Sequence, residues 1–285
     1  MNMTPRDLWL RFETYHDVTY FTPESRAVTD ALGCKGGWMG YFGMRAAPLG
    51  EAAPQTVTAA FFSFHPRKVE RALPDAWHVA PARRFLQARL EGVDGALRRM
   101  LGDVTVPAEL VEIAVAAASA IPLAGRPLGA ANQALPLPDE PHLALWQACT
   151  TLREHRGDGH IAALVAADLD PCQTLVLFGA DKGLDPAYLK IARGWSDDEW
   201  RAAVRALTHR GLYSEGVLTP AGHALRADIE ARTDAAAAHP WSAVGDDATR
   251  RFLDLMTPIA RRLGVANDAM RVNPMGIDPV RELPG

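Results

Sequence analysis

One short stretch, residues 154–160, concentrates titratable side chains inside an otherwise apolar segment. It reads Glu-His-Arg-Gly-Asp-Gly-His, and apolar runs flank it at 145–149 and 161–165. The flanks predict one buried or half-buried helix that continues through the polar stretch. Charge in such a place costs free energy unless it is paired or used. The stretch is therefore the first candidate for a functional site.

Helical spacing divides these groups between two faces. Asp158 follows Glu154 by four residues and His155 by three, so these side chains can be neighbours. Arg156 and His160 lie four apart on another face. In an acid–base site, Asp158 would fix the tautomer of His155 and leave its other nitrogen as base or ligand. The same pattern also fits a polar network that only seals a crossing between helices.

A second polar stretch, residues 14–21, reads Thr-Tyr-His-Asp-Val-Thr-Tyr-Phe. If the two halves of the chain are equivalent, it would face the same cavity as the first stretch, with His16 and Tyr20 on one helical face. The expected cavity is enclosed, measures a few hundred Å³ and suits a small ligand. Its expected catalytic residues are His16, His155, Asp158 and His160, and its expected ligand-binding residues are Tyr20, Arg45, Glu154 and Arg156.

Two of these assignments keep an alternative. Arg45 is either an anion anchor at the mouth of the cavity or a solvated cation where a helix ends. His16, His155 and His160 could together hold a divalent metal or haem iron. No HxxxH or HExxH spacing supports a metal, so the sequence leaves the cofactor open.

Composition limits the class of protein. The chain has 285 residues, of which 48% are hydrophobic, and a formal net charge of −4. That charge argues against a protein whose main surface faces nucleic acid. Three scattered cysteines, without a CxxC pair, fit a reducing cytoplasm. We see no signal-peptide core and no apolar run long enough for a membrane span, so we expect a cytoplasmic protein without a membrane partner.

Proline-rich residues 122–141 predict a linker between two halves. The Leu-Trp pair at 8–9 recurs at 145–146, which suggests a faint internal repeat. The predicted division is an N-terminal lobe at 1–121, the linker at 122–141, a C-terminal lobe at 142–265 and an extended tail at 266–285. The helices at about 6–20 and 143–166 should then pack together near a pseudo-twofold axis.

The second half carries clear helix and turn signals. Ser196 and Glu199 form a capping box at the start of a helix. A short hairpin over 212–218, with Glu-Gly in its turn, should follow. Thr219 and Pro220 then open another helix as N-cap and first helical residue. Helix, hairpin and long helix in this order are typical of a winged helix-turn-helix.

These segments resemble a known family. The residues Ala-Leu-Thr-His-Arg-Gly-Leu-Tyr from 206 and Val-Leu-Thr-Pro-Ala-Gly-His from 217 are similar to the recognition-helix end and wing of MarR-type regulators. Over its whole length, the chain is similar to a bacterial helix-turn-helix family, through segments such as Tyr-Phe-Gly-Met-Arg from 41 and the stretch 154–160. The MarR resemblance implies homodimers that bind small ligands between dimerisation helices and DNA-binding lobes. The predicted fold is mostly α, with two degenerate winged-helix lobes in tandem that imitate such a dimer.

Departures from the MarR pattern argue against DNA binding. The N-terminal end of the candidate recognition helix is Asp-Asp-Glu at 197–199, where phosphates would meet carboxylates. The wing at 213–217 has no basic residue. In the first half, the candidate recognition element at 64–74 is closed by Pro74, and no wing follows.

The sequence therefore predicts a small-molecule-binding protein on a MarR-like scaffold, monomeric as a pseudo-dimer or homodimeric, with acid–base or metal-assisted enzyme chemistry in a central His/Asp/Arg pocket. DNA is not an expected partner. The alternatives are a ligand-responsive transcriptional regulator and a scaffold protein with neither activity.

Overall fold

The computed structural model describes residues 4–271 and 273–283, and this part is mostly helical. Its one sheet is a two-stranded antiparallel hairpin. Helices of the first half are α1 (Pro5–His16), α2 (Pro23–Leu32), α3 (Gly37–Ala46), α4 (Pro54–Phe61), α5 (Pro66–Glu70), α6 (Asp75–Val79), α7 (Ala82–Leu101), α8 (Ala108–Ser119) and α9 (Pro127–Gln133).

The second half contains α10 (Pro141–Ala166), α11 (Pro171–Lys182), α12 (Pro186–Arg193), α13 (Asp197–His209), β1 (Tyr213–Ser214), β2 (Val217–Leu218), α14 (Pro220–Ala237), α15 (His239–Val244), α16 (Asp246–Ala266) and α17 (Pro279–Glu282). Short 3-10 helices lie at Asp17–Thr19, Ala47–Leu49 and Asp268–Met270.

Helix α10 is the centre of the molecule. Pro141 begins it, as suits a residue without a backbone N–H at the first helical position. Helices α1, α8, α9 and α14 pack around it, so residues on most of its sides are buried. Trp146, for example, is fully buried in a core that also takes Phe12 from α1 and Phe252 from α16. Both halves of the chain therefore share one core, which carries the polar stretch 154–160 to the interior.

The predicted pairing of the first helix with the long central helix is confirmed. Tyr15 donates from its hydroxyl to the His142 carbonyl oxygen at 3.1 Å, and Trp146 donates from Nε1 to the Thr19 hydroxyl at 2.9 Å. A pseudo-twofold relation between the two halves stays a prediction.

The helix, hairpin and helix predicted in this order for the second half are confirmed. Ser196 and Glu199 form the expected capping box, and Thr219 caps α14 ahead of Pro220. Strands β1 and β2 pair across the turn at Glu215 and Gly216. Both turn residues have positive φ, at 49° and 89°, which is the left-handed backbone that a tight hairpin requires.

The first half differs from that plan. Its α5 is a single short helix, and no hairpin follows it among the described residues. A separate aromatic core instead joins α3, α4 and α7 around Phe42, Phe61 and Phe85. The two halves are thus alike in being helical, while a tandem pair of winged helices stays a prediction.

Two segments are more structured than the sequence indicates. The proline-rich linker contains α9, which packs closely on α10 because Gly129 lets the helix backbones approach. The expected extended tail contains α17, and Met270, Ile277 and Leu283 bury against Leu10 and Ala260. Apolar side chains spaced along the tail explain why it is packed and only partly extended.

No single described helix has both the length and the hydropathy to cross a membrane. The pair α10 and α11 passes that test together, with a 105° bend between them.

Candidate ligand site

A cavity of about 450 Å³ lies between the first half of the chain and helices α10, α11 and α14. Helices α1, α10 and α14 contribute its polar wall. The segment 60–64 and helix α3 contribute an aromatic wall. Its aromatic lining residues are Trp9, Tyr20, Phe21, Tyr41, Phe61, Phe62, Phe64 and Phe178. A cavity of this size and lining accommodates a small organic molecule.

A buried network of charges forms one side of the cavity. Glu154 accepts two hydrogen bonds from the Arg45 guanidinium, at 2.8 and 3.0 Å, and a third from Arg153 at 2.8 Å. Arg153 also donates to Glu13 at 3.1 Å. Burial raises the pKa of Glu154, but Arg153 and Arg45 outweigh it and hold that pKa far below its usual range. The network is thus a fixed, fully ionised wall.

Two buried polar atoms next to this network have no hydrogen-bond partner in the protein. They are Nε2 of His16 and Oδ2 of Asp17, and both residues line the cavity. The Tyr20 hydroxyl, also on the cavity, interacts with the buried Arg89 guanidinium. Buried polar atoms are almost always hydrogen-bonded, by the protein or by something bound to it. The two unpartnered atoms lie on one cavity, which makes it the candidate ligand site.

His16 is the residue best placed for proton transfer. Its Nδ1 lies 2.9 Å from the Thr150 hydroxyl, which orients the ring and leaves Nε2 directed to the cavity wall. Burial, followed by the charge of Arg153, lowers the pKa of His16 well below 6.5. The imidazole is therefore neutral at pH 7 and can donate or accept a hydrogen bond.

Asp17 has the opposite shift. Burial and the neighbouring Glu13 raise the pKa of Asp17 well above its usual value. A carboxyl in this state tends to keep its proton. The cavity thus holds a neutral imidazole and a carboxyl whose protonated form is favoured by burial, beside an ionised network.

A second polar group lies where α10 meets α14. Arg156 donates to Asp234 at 3.0 Å and to Glu230 at 3.3 Å. His160 Nδ1 lies 2.9 Å from the Thr233 hydroxyl, whose own proton goes to the Ile229 carbonyl at 2.7 Å. His160 must therefore donate from Nδ1, which leaves Nε2 as the acceptor. Burial lowers the pKa of His160 to about 4.

Six of the eight residues expected from the sequence lie on this cavity. These are His16, Tyr20, Arg45, Glu154, Arg156 and His160. Arg45 is buried in the ion network, so its alternative as a solvated cation is wrong. Their catalytic and binding roles stay predictions.

His155 and Asp158 do not line the cavity, and the expected hydrogen bond between them is not formed. Asp158 accepts from the Gly129 backbone N–H at 2.8 Å, at the start of α9, whereas the His155 ring interacts with the Ala236 backbone. A helix turns by about 100° per residue, so His155 projects about 160° and Asp158 about 100° away from Gly157, and both point away from the cavity. Burial lowers the pKa of His155 to about 4 and raises that of Asp158 to about 7.

The expected histidine ligand set for a metal does not come together, because His155 lies across α10 from His16 and His160. Within residues 4–271 and 273–283, no three His, Cys, Asp or Glu side chains are arranged to hold a metal ion.

Sequence reasoning missed several lining residues. Arg153 precedes the singled-out stretch by one position and completes the ion network. The aromatic run Phe-Phe-Ser-Phe at 61–64 was a visible signal, and Phe62 has a left-handed φ of 43° that turns the chain there. Arg193, at the end of α12, had no local pattern to mark it.

The acidic start of α13 is engaged within the protein. Glu199 accepts from His65 Nε2 at 2.9 Å, and Asp197 pairs with Lys190. Trp195 Nε1 donates to the Ser63 carbonyl at 3.0 Å, and the His65 N–H donates to the Arg193 carbonyl at 2.9 Å. The turn between α12 and α13 is therefore docked on residues 63–65, which belong to the cavity's aromatic wall.

One known family matches nearly the whole chain. The model of a helix-turn-helix family matches residues 5–270. The chain belongs to this helix-turn-helix family. No curated protein and no solved structure matches it. The MarR likeness of the second half stays an interpretation of its motifs.

Proposed function

We propose that this helix-turn-helix family member binds a small organic molecule in the cavity between its two halves. The observation that carries the proposal is the pair of buried, partnerless polar atoms on one cavity, Nε2 of His16 and Oδ2 of Asp17. A bound molecule would supply their missing hydrogen bonds, and the aromatic wall would hold its apolar part.

An enzymatic use of this site would depend on His16. A neutral imidazole with a free Nε2 can take a proton from a bound molecule, and the nearby protonated Asp17 can return one. The ionised Arg45–Glu154–Arg153 wall would keep both groups in place. We therefore retain acid–base catalysis as the chemistry that these residues suit best.

A ligand-responsive DNA-binding regulator is the second candidate. Family membership and the hairpin after α13 favour it. The pairing of Glu199 with His65 and of Asp197 with Lys190 argues against it, because these groups occupy the end of α13 that would enter the major groove. A gel shift at physiological salt against the protein's own promoter region decides the matter, and sub-micromolar, sequence-selective binding would establish the regulator.

The cavity is tested with a neutral fluorescent probe, phenylnaphthylamine, which brightens on entering an apolar site. Gly157 lines the cavity, and an added Cβ would meet its nearest neighbours at 3.8 Å, so a larger side chain can project into the space. We expect Gly157→Phe to weaken saturable probe binding at least about tenfold, or 1.4 kcal/mol. Ala162→Phe puts the same ring on the exposed side of α10 and should leave binding unchanged. Equal binding by both variants, or no saturable binding by the unaltered protein, would refute the proposal.

Histidine NMR locates the probe independently. The ring signals of His16 and His160 should shift when phenylnaphthylamine binds, since both residues line the cavity. The ring signal of His155 should stay in place. A shift confined to His155 would place the probe on the wrong side of α10.

Two further expectations belong to the proposal. The three cysteines are free and buried, which fits the reducing cytoplasm as the compartment. The chain is expected to act as a monomer or a homodimer, with a small molecule as its partner.

A further inference from the structure

We infer that the bound molecule is an organic anion with an aromatic or similarly apolar body, and that Arg193 binds its charged group. The inference rests on the proposed binding function and adds the chemical class of the ligand. The observation behind it is the pairing of the charged residues that line the cavity.

The other cations on the cavity wall have carboxylate partners. Arg45 and Arg153 pair with Glu154, and Arg156 and Arg226 pair with Glu230. Arg6 pairs with Glu282, and Lys182 lies 3.7 Å from Asp181. These cations are therefore neutralised before any ligand arrives.

Arg193 is the exception among the described lining residues, because its side chain has neither an ion pair nor a hydrogen bond. Its Nε is buried without a partner, and its guanidinium lies 4.5 Å from the centre of the Phe64 ring. The groups that act on it electrostatically are, in order of influence, Tyr41, Arg45, Tyr188 and Arg153, and none of them is a carboxylate. The unpaired guanidinium therefore leaves this corner of the cavity with a positive charge.

The backbone around Arg193 is fixed. Its carbonyl accepts from the His65 N–H at 2.9 Å, and the left-handed Gly194 that follows packs against Lys68. Lys68 in turn donates to the Ile191 carbonyl at 2.8 Å. The guanidinium is thus presented to the cavity from a rigid turn.

A structural explanation for the unpaired cation is its place at the end of α12, where the helix dipole favours positive charge. That effect is small beside the cost of leaving a largely buried charge without a partner. The dipole alone does not account for Arg193, whereas an anionic ligand would.

Guanidinium groups bind carboxylate, sulfonate and phosphate oxygens through paired, charge-assisted hydrogen bonds. The ring of Phe64 adjoins Arg193, Phe61 and Phe62 line the same cavity, and these rings suit an apolar body. His16 Nε2 would then meet a polar group elsewhere on the same molecule. The combination describes an aromatic organic acid better than a free inorganic anion.

Two dyes of the same shape test the charge requirement. Anilinonaphthalene sulfonate is phenylnaphthylamine with an added sulfonate. We expect the anionic dye to bind at least tenfold more tightly than the neutral one and to weaken as salt is added. Arg193→Gln should abolish this tenfold advantage, so that the variant binds the two dyes with about equal affinity. Arg193→Lys, which keeps the charge, should retain part of the advantage.

Arg205→Gln is the matched control, because it removes one exposed positive charge from α13 of the same winged helix. It should alter the affinity for neither dye. If Arg193→Gln leaves the preference for the anionic dye intact, the inference is wrong, and so it is if the two dyes bind the unaltered protein equally. Neither result contradicts the proposed binding function if Gly157→Phe blocks binding of the neutral dye. The binding function itself is wrong if the neutral dye does not bind the unaltered protein. Thermal melting of each variant confirms folding, and Arg193→Lys decides the question should Arg193→Gln not fold.

Discussion

The two faces of α10 carry similar residues in opposite settings. On one face, Glu154 and His160 line the cavity beside Gly157. On the other face, Asp158 and His155 pack against α9, and both lie outside the cavity. The groups are interleaved within seven residues, so sequence proximity says nothing about which of them share a site.

The difference lies in what neutralises each group. Glu154 is held by two arginines and stays ionised, whereas Asp158 receives a backbone N–H and burial raises its pKa to about 7. On the cavity face, the charged side chains stay ionised and border open space. On the packing face, the carboxyl tends to be neutral and the neighbouring space is filled. Three measurements can break or sharpen this contrast.

The largest expected effect follows from removing Glu154. Glu154→Leu leaves the buried Arg45 guanidinium without its carboxylate partner, and breaking a buried ion pair from one side costs about 3–5 kcal/mol. His155→Leu, on the adjacent residue but the packing face, removes a neutral imidazole that belongs to no ion pair and should cost far less. Urea unfolding at pH 7 measures both.

Glu154→Gln keeps the volume and one acceptor, so it should lie between these values and gives a reading if Glu154→Leu does not fold. If Glu154→Leu and His155→Leu lose equal free energy of unfolding, the buried ion network contributes no more to stability than the His155 ring does.

The second effect is a pH dependence on the packing face. Folding raises the pKa of the Asp158 carboxyl, so the ionised form of this group is less favourable in the folded than in the unfolded protein. The free energy of unfolding should therefore fall, because of Asp158, as pH rises from about 4 through about 7. Asp158→Asn keeps an acceptor for the Gly129 N–H and has no proton to lose. Relative to the unaltered protein, the variant should gain a few kcal/mol between pH 4 and pH 8.

His155 and His160 also titrate with lowered pKa values, at about 4, but they are present in both proteins and cancel in the difference. Unfolding curves of the two proteins, recorded from pH 4 to pH 8, give this difference directly. A difference that is constant with pH, or that changes with the opposite sign, would show that Asp158 is already ionised in the acidic part of the range.

Local signals predicted much of the fold. The capping box at Ser196, the Thr219–Pro220 helix start and the Glu-Gly turn each depend on neighbours within a few residues, and all three are formed. The packing of α9 could not be predicted in this way. It depends on Gly129 meeting the backbone of His155 across the helix crossing.

The site was predictable where helical periodicity on one element was enough. Tyr20 and His16 share a face of the first helical segment, and both reach the cavity. The partner of Asp158 was not predictable, because a backbone N–H from another helix leaves no trace in side-chain spacing. Arg193 was not predicted, for a related reason. Its importance comes from the lack of carboxylates around it in the folded protein, which the local sequence does not show.

The smallest effect comes from a comparison of two glycine-to-alanine variants of α10, one on each face. Each variant adds a single methyl group. At Gly157 an added Cβ meets Arg153 and Glu154 at an ordinary 3.8 Å, so Gly157→Ala should stabilise the protein by about 1 kcal/mol through helix propensity. At Gly159 the added Cβ would overlap the Arg126 guanidinium and come within 3.2 Å of Ala236. Arg126 donates to the carbonyls of His155 and Ala236, at 3.2 and 3.1 Å, and must move.

Each of those hydrogen bonds contributes about 1 kcal/mol, so their loss should cancel or exceed the propensity gain. Gly159→Ala should therefore be about 1–2 kcal/mol less stable than Gly157→Ala, as read from the urea midpoints of the two variants. Equal stability would mean that the packing face has room to spare, and the contrast between a filled and an open side of α10 would then be lost.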